Sequence, residues 1–184
     1  MRFTLHYRGD LKSNRRPADK HRLRKVFHKQ LSTLWQQQPL FDQRHFLDRN
    51  PKPGNISIIR SVGPFHFAPL ICTDLHLLAT LRIHLMRPCP PGDIIRHGGD
   101  IDNRLKTLLD ALRMPSNESE LPKIATVEEG EDTFFCLFED DSLITGLSVN
   151  TARLLEAVAG PSEVELLVQV CTEKTVTLYK TIDL

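Results

Sequence analysis

The sequence predicts an α/β (α+β) protein in which a mixed β-sheet carries two main amphipathic helices on one face. Three observations lead there. Apolar residues alternate at Phe3, Leu5 and Tyr7, and again at Leu75, Leu77, Ala79, Leu81, Ile83 and Leu85, as half-buried strands require. Two other stretches switch to helical spacing: Leu23, Val26, Phe27, Leu31 and Leu34, then Leu105, Leu108, Leu109 and Leu112. The chain of 184 residues, 40% hydrophobic and 26% charged, is long enough to bury one core and too apolar to stay disordered. A single domain over 1–184 is expected.

Taken in order, residues 1–9 read as a strand. A basic turn, Lys12-Ser13-Asn14-Arg15-Arg16, leads to Pro17, which suits the first turn of a helix because its missing N–H has no partner there in any case. That helix runs to about Gln37 and carries Lys20, Arg22, Arg24, Lys25 and Lys29 on its outer face. His6, His21 and His28 are expected at the surface or the core edge. Residues 36–54 are polar and broken by Pro39, Pro51 and Pro53, so they form a loop with one helical turn around Phe41–Leu47. Residues 1–54 thus make a basic amino-terminal strand, helix and loop. Ile56–Arg60 is strand-like, Gly63-Pro64 turns the chain, and Phe65 begins another extended piece.

Leu75–Met86 is the long central strand, with His76, Arg82 and His84 on its second face. The prolines of Arg87–Gly92 lack ladder donors and end it. The loop after it holds Arg96 and His97. The second helix begins near Asp100–Asp102, either of which can cap it. Residues 115–130 are loop-like. Phe134–Phe138 is a buried apolar run, and Leu143–Leu155 and Val164–Cys171 are strands joined by a hairpin loop at Ala159–Ser162. Thr175–Ile182 adds an edge strand.

No apolar run approaches the length of a membrane span, and the basic amino terminus lacks a signal peptide's apolar stretch. Cys72, Cys89, Cys136 and Cys171 are scattered without C-x-x-C spacing. Free thiols in a reducing cytoplasm, and no membrane partner, follow as expectations. The net charge of +1 hides a split. Ten Lys or Arg face two Asp over residues 1–30, and twelve Asp or Glu face Lys123 and Arg153 over residues 118–165. Such a distribution suits a protein with one phosphate-facing basic surface.

The chemistry concentrates in Asp100-Ile101-Asp102-Asn103-Arg104-Leu105-Lys106 and in Glu139-Asp140-Asp141. If the second cluster folds against the first, several carboxylates gather beside one ammonium, which a divalent cation would have to neutralise. Hard oxygen ligands without thiolate suit Mg²⁺ or Mn²⁺. The plain structural alternative is that Asp102–Lys106 and Lys106–Asp110 are i,i+4 helix pairs, each contributing roughly 0.2–0.5 kcal/mol.

An Asp-x-Asp-Asn-x-x-Lys motif followed by an apolar helix, an acidic pair and a β region resembles the RusA family of Holliday junction resolvases, over roughly Leu75 to Cys171. The resemblance implies a homodimeric, Mg²⁺-dependent endonuclease that cuts branched DNA during recombination and repair. It implies that Asp100, Asp102 and Asp141 are the catalytic acids and metal ligands, and Lys106 the catalytic lysine. Asp140 joins the metal set, with Glu139 as the alternative further ligand or water-orienting base. Residues 114–134 lengthen the interval between helix and acidic pair relative to the family and read as an insertion. Arg15, Arg16, Lys20, Arg24, Arg96, His97 and Arg104 are the candidate DNA contacts. Two alternatives stand beside this: a nucleic-acid-binding protein of the same fold that does not cut, and a nuclease for another flap, fork or RNA structure.

Overall fold

The computed structural model describes residues 1–12, 16–89, 101–156, 160 and 162–176. In chain order the elements are β1 (Arg2–Asp10), α1 (Pro17–Leu34), a 3-10 segment at Leu40–Leu47, β2 (Arg60–Val62), β3 (Phe65–Ile71) and β4 (Leu77–Arg87). Then come α2 (Ile101–Leu112), β5 (Phe134–Phe138), β6 (Ile144–Arg153) and β7 (Glu163–Lys174), with short 3-10 turns at Thr73–Leu75, Glu118–Glu120 and Asp141–Leu143. The α+β class expected from the sequence is what the chain adopts.

The strands form two mixed sheets rather than the single one expected. Four strands run in the order β1-β7-β4-β6, and three in the order β2-β3-β5. β4 is central, as its strict alternation implies: Leu77, Ala79, Leu81, Ile83 and Leu85 are buried while Arg82 is exposed. The expected hairpin between the last two strands is not formed. β7 pairs with β4 antiparallel and β6 pairs with β4 parallel, so β4 lies between them. β7, with Val164, Leu166, Val168 and Val170 buried, takes the place between β4 and β1, while β6 packs Ile144 and Val149 against the core from outside it. β6 is left at the edge. Ile56–Ile59 are not part of a strand, although Ile58 is fully buried. The expected edge strand at Thr175–Ile182 lies largely outside the described residues.

The β2–β3 hairpin closes through two residues, since Val62 pairs with Phe65. Gly63 takes φ 57°, a left-handed conformation that costs glycine little, and Pro64 follows with its fixed negative φ. α1 and α2 cover one face of the four-stranded sheet. Leu23, Phe27 and Leu31 from α1 and Leu108, Ala111 and Leu112 from α2 join Leu81, Ile83, Leu166 and Val168 in one continuous core, which extends to Leu70, Ile71 and Phe138 of the second sheet. A smaller cluster of Phe65, Phe67, Phe134 and Cys136 is sealed by Met114 and Leu121 of the 114–134 segment. All four cysteines are free, and burial pushes the Cys72 and Cys136 thiols up to about 12.

Two polar residues of α1 are buried in this packing. The Arg24 guanidinium, 1% exposed, donates from Nη2 to the Asp110 carbonyl at 2.8 Å and from Nε to the Arg113 carbonyl at 3.1 Å. These are carbonyls at the carboxyl end of α2, where the helix leaves acceptors unsatisfied and its dipole favours a cation. His21 lies between the rings of Phe65 and Phe134, with centroids 5.1 and 5.5 Å away. Neighbouring His28 accepts the Phe135 N–H on Nδ1 at 2.9 Å. Both imidazoles are buried, not at the surface or core edge as expected.

Arg24→Met strips those α2 carbonyls of their donor, and a loss of about 3 kcal/mol in urea unfolding is expected, against under about 0.5 for exposed Lys29→Ala. Equal effects from the two substitutions would show that Arg24 does not hold the helices together.

A second expectation concerns acid. Burial, reinforced by Arg24 and Lys25, lowers the His21 pKa to about 4, whereas an unfolded histidine titrates near 6.5. Between these values the unfolded chain binds the extra proton, so stability falls as pH drops from about 6.5 towards 4, by up to about 1.4 kcal/mol per unit. His21→Leu should flatten that slope in urea titrations at pH 7 and pH 5. The same slope in both proteins would refute the assignment.

Candidate functional site

α2 turns Leu108, Ala111 and Leu112 into the core and thereby presents Asp102 and Lys106 outward, one turn apart and both exposed. Among the described residues neither forms an ion pair or a side-chain hydrogen bond. The i,i+4 pairing that spacing alone offered is not made. Asp110 is taken instead by Lys20 Nζ at 2.6 Å and by Arg113 at 3.5 Å. Asp100, the other acid of the motif, lies outside the described residues.

The acidic cluster follows β5 directly. Glu139 N–H donates to the Ile71 carbonyl at 2.9 Å. Its carboxylate accepts from Arg60 Nε, from the Thr73 backbone N–H and from the Thr73 hydroxyl, each at 3.0 Å. Arg60 also bonds Asp74 at 2.5 Å. Glu139 therefore ties the ends of β3 and β5 together, which is a structural role in place of the ligand or base role considered for it. Asp140 caps the next turn by accepting the Ser142 N–H at 2.9 Å. That hydrogen bond, with a smaller contribution from Arg113, holds its carboxyl below the usual range. Asp141, exposed, opens the turn.

Arg113 acts on the Asp140 carboxyl, and Asp141 acts on Arg113, whose backbone bridges to Phe138 just past the end of α2. Asp102 sits at the opposite end, about 16 Å away along an axis that rises about 1.5 Å per residue. The acidic corner is thus keyed to the carboxyl end of α2 and Asp102 to its amino end. Among the described residues no three His, Cys, Asp or Glu side chains gather where one ion could be held.

The candidate DNA contacts divide. Arg16 is exposed at the start of α1, and Lys20, half-buried, is held by Asp110. Arg24 and Arg104 are buried, 1% and 3% exposed, and neither faces a phosphate. Arg24 caps α2, and Arg104 donates from Nη1 to the Leu11 carbonyl at 2.6 Å. Burial lowers the pKa of both guanidiniums. Their spacing carried the signal: Arg24 is in phase with Phe27 and Leu31, and Arg104 with Leu108 and Ala111, so each lies on its helix's apolar stripe. Arg15, Arg96 and His97 lie outside the described residues. Arg113 also bonds Glu120 at 3.1 Å and faces the acidic corner.

No family model, curated protein or solved structure gave a match to this chain.

The different work of neighbouring acids is testable. Glu139→Gln removes the charge that holds Arg60 and is expected to cost about 1–2 kcal/mol in urea unfolding, while Asp141→Asn should stay within about 0.5. The reverse order would make Asp141 the structural acid.

Proposed function

We propose that this chain is a divalent-metal-dependent endonuclease acting on branched DNA, as its resemblance to the RusA resolvases implies, and that it works as a homodimer. The supporting observation is the state of Asp102 and Lys106. An exposed carboxylate and an exposed ammonium, one turn apart on a helix whose far end is fixed by Arg24, have no partner among the described residues. Side chains that only stabilised the helix would pair with each other.

Phosphodiester hydrolysis requires a water nucleophile and neutralisation of charge on the phosphate oxygens. A Mg²⁺ or Mn²⁺ held by oxygen donors without thiolate would supply an acidified water and a grip on a non-bridging oxygen. Asp102, with Asp100 two residues before it, would hold such an ion at the amino end of α2, and Asp140 and Asp141, keyed to the opposite end, would not share it. Lys106 contributes a fixed positive charge towards the same phosphate. Exposed Arg16 is the candidate for contact with the DNA backbone. Two active sites related by a two-fold axis would nick opposite strands symmetrically.

The test is cleavage of a synthetic mobile four-way junction by the wild type and by Asp102→Asn in Mg²⁺, Mn²⁺ or EDTA. Paired symmetric nicks are expected only with metal, reduced on the order of 100-fold or more in the variant. Undiminished cleavage by Asp102→Asn would sink the site assignment. Junction binding that survives EDTA, with no nick in either metal, would replace the nuclease by a binding protein.

A further inference from the structure

The helices cover one face of the four-stranded sheet, and among the described residues no helix covers the other. Because side chains alternate along a strand, Leu78, Thr80, Arg82, His84 and Met86 of β4 stand on that outer face. The register carries it across the neighbours. Arg82 lies level with Gln169 of β7 and Ser148 of β6, while Thr80 lies level with Cys171 and Gly146. Cys171 in turn lies level with Arg2 of β1.

Over these rows runs a groove of about 430 Å³, to whose lining both Arg2 and Arg82 contribute. Gly146 keeps its β6 side low, since a Cβ there would stand 3.1 Å from Thr80 Cγ2. The two arginines are on strands separated by β7 alone, roughly 10 Å apart across the sheet.

The charge on this face is uneven. Towards one end Arg8 is paired with Glu156 at 2.6 Å and Glu163 at 3.3 Å, and His6 with Glu165 at 3.2 Å. Arg2 and Arg82 are both exposed, and among the described residues neither guanidinium makes an ion pair or a hydrogen bond. Glu173, exposed one row beyond Cys171, bridges to neither. On the strand between the two arginines lies the Gln169 amide, while Thr80 on β4 beside Arg82 and Ser148 on β6 beyond it add hydroxyls to the lining. The groove therefore offers positive charge and neutral hydrogen-bond donors beside exposed Leu147, with no Phe, Tyr or Trp in its lining on which a base could stack.

We infer that this groove binds the phosphodiester backbone of a nucleic acid, with Arg2 and Arg82 each contacting a phosphate. Guanidiniums present paired donors to phosphate oxygens, and backbone contacts of this kind are independent of sequence. The inference leans on the nuclease proposal only for the kind of nucleic acid. α2, with Asp102 and Lys106, packs on the opposite side of the sheet, so the groove is a second hold, separate from the candidate cleavage site.

The experiment measures binding of a labelled four-way junction in EDTA across a salt series, for the wild type, Arg2→Ala, Arg82→Ala, Arg82→Lys and Gln169→Glu. Each alanine variant should lower the slope of log affinity against log salt by about 0.9 per lost phosphate contact, equally for junctions of unrelated sequence. Arg82→Lys keeps the charge and should keep the slope. Gln169→Glu, a surface change that leaves both arginines in place, should weaken binding by giving them an internal carboxylate. Unchanged slopes in the alanine variants would overturn the inference. So would wild type that binds no junction, or variants whose main effect is a changed oligomeric state in sedimentation, which would make the face a protein interface. Asp102→Asn, assayed alongside, separates the two proposals. Its undiminished cleavage with altered slopes in the groove variants removes only the cleavage site, and the opposite pattern removes only the groove.

Discussion

The buried guanidinium of Arg24 is the constraint on which the arrangement of this protein depends. A helix ends with carbonyls that have no partner of their own. In α2 the carbonyls of Asp110 and Arg113 are met not by water but by a cation from α1. Lys20, one turn earlier on α1, pairs with the Asp110 carboxylate at 2.6 Å. The two helices are thus joined by polar contacts at one end and by Leu and Phe packing along their length. Since α2 is held at its carboxyl end, the outward direction of Asp102 and Lys106 at its other end is set by a residue that touches neither.

That arrangement also explains where the amino-terminal positive charge goes. Of the basic residues before Gln30, Arg8, Lys12, Lys20 and Lys25 form ion pairs within the chain, and Arg24 serves backbone carbonyls. Lys25 reaches Glu128 at 2.7 Å and Glu131 at 2.9 Å, so part of the basic segment and part of the acidic 118–132 stretch neutralise each other. A count of charges along the sequence suggests a broad basic surface. The folded chain presents a smaller one, with Arg16, Arg22 and Lys29 exposed on α1.

Elements defined by local periodicity were legible in the sequence, because a strand or helix is imposed by its own alternation. β1, α1, β4, α2 and β5 all fall where apolar spacing puts them. What could not be read were matters decided between distant residues. Val164–Cys171 and Leu143–Leu155 are both strand-like, and only competition for the place beside β4 separates a hairpin from the observed order. Glu139 looks like its neighbours Asp140 and Asp141 in sequence, yet Arg60 and Thr73, far away in the chain, claim it. Arg24 and Arg104 were misread for a different reason: their charge outweighed their position on an apolar stripe. The motif residues Asp102 and Lys106 stand exposed as the motif requires, while the corner holding Asp140 and Asp141 is tied to Arg113.

The placing of β7 has a consequence for how the chain must be made. Residues 2–10 have their ladder partners at 163–171, and the two edges of β7 are taken by the earliest strand and the central one. On a ribosome, β1 emerges well before its ladder partner, and β4 waits for its own while the 75 residues between Arg87 and Glu163 follow it. The sheet can close only once β7 has been made, through contacts of long sequence separation. Such non-local pairing slows folding and leaves strand edges uncovered in the meantime. Nascent chains stalled before β7 should therefore depend on holding factors in a way that the finished protein does not.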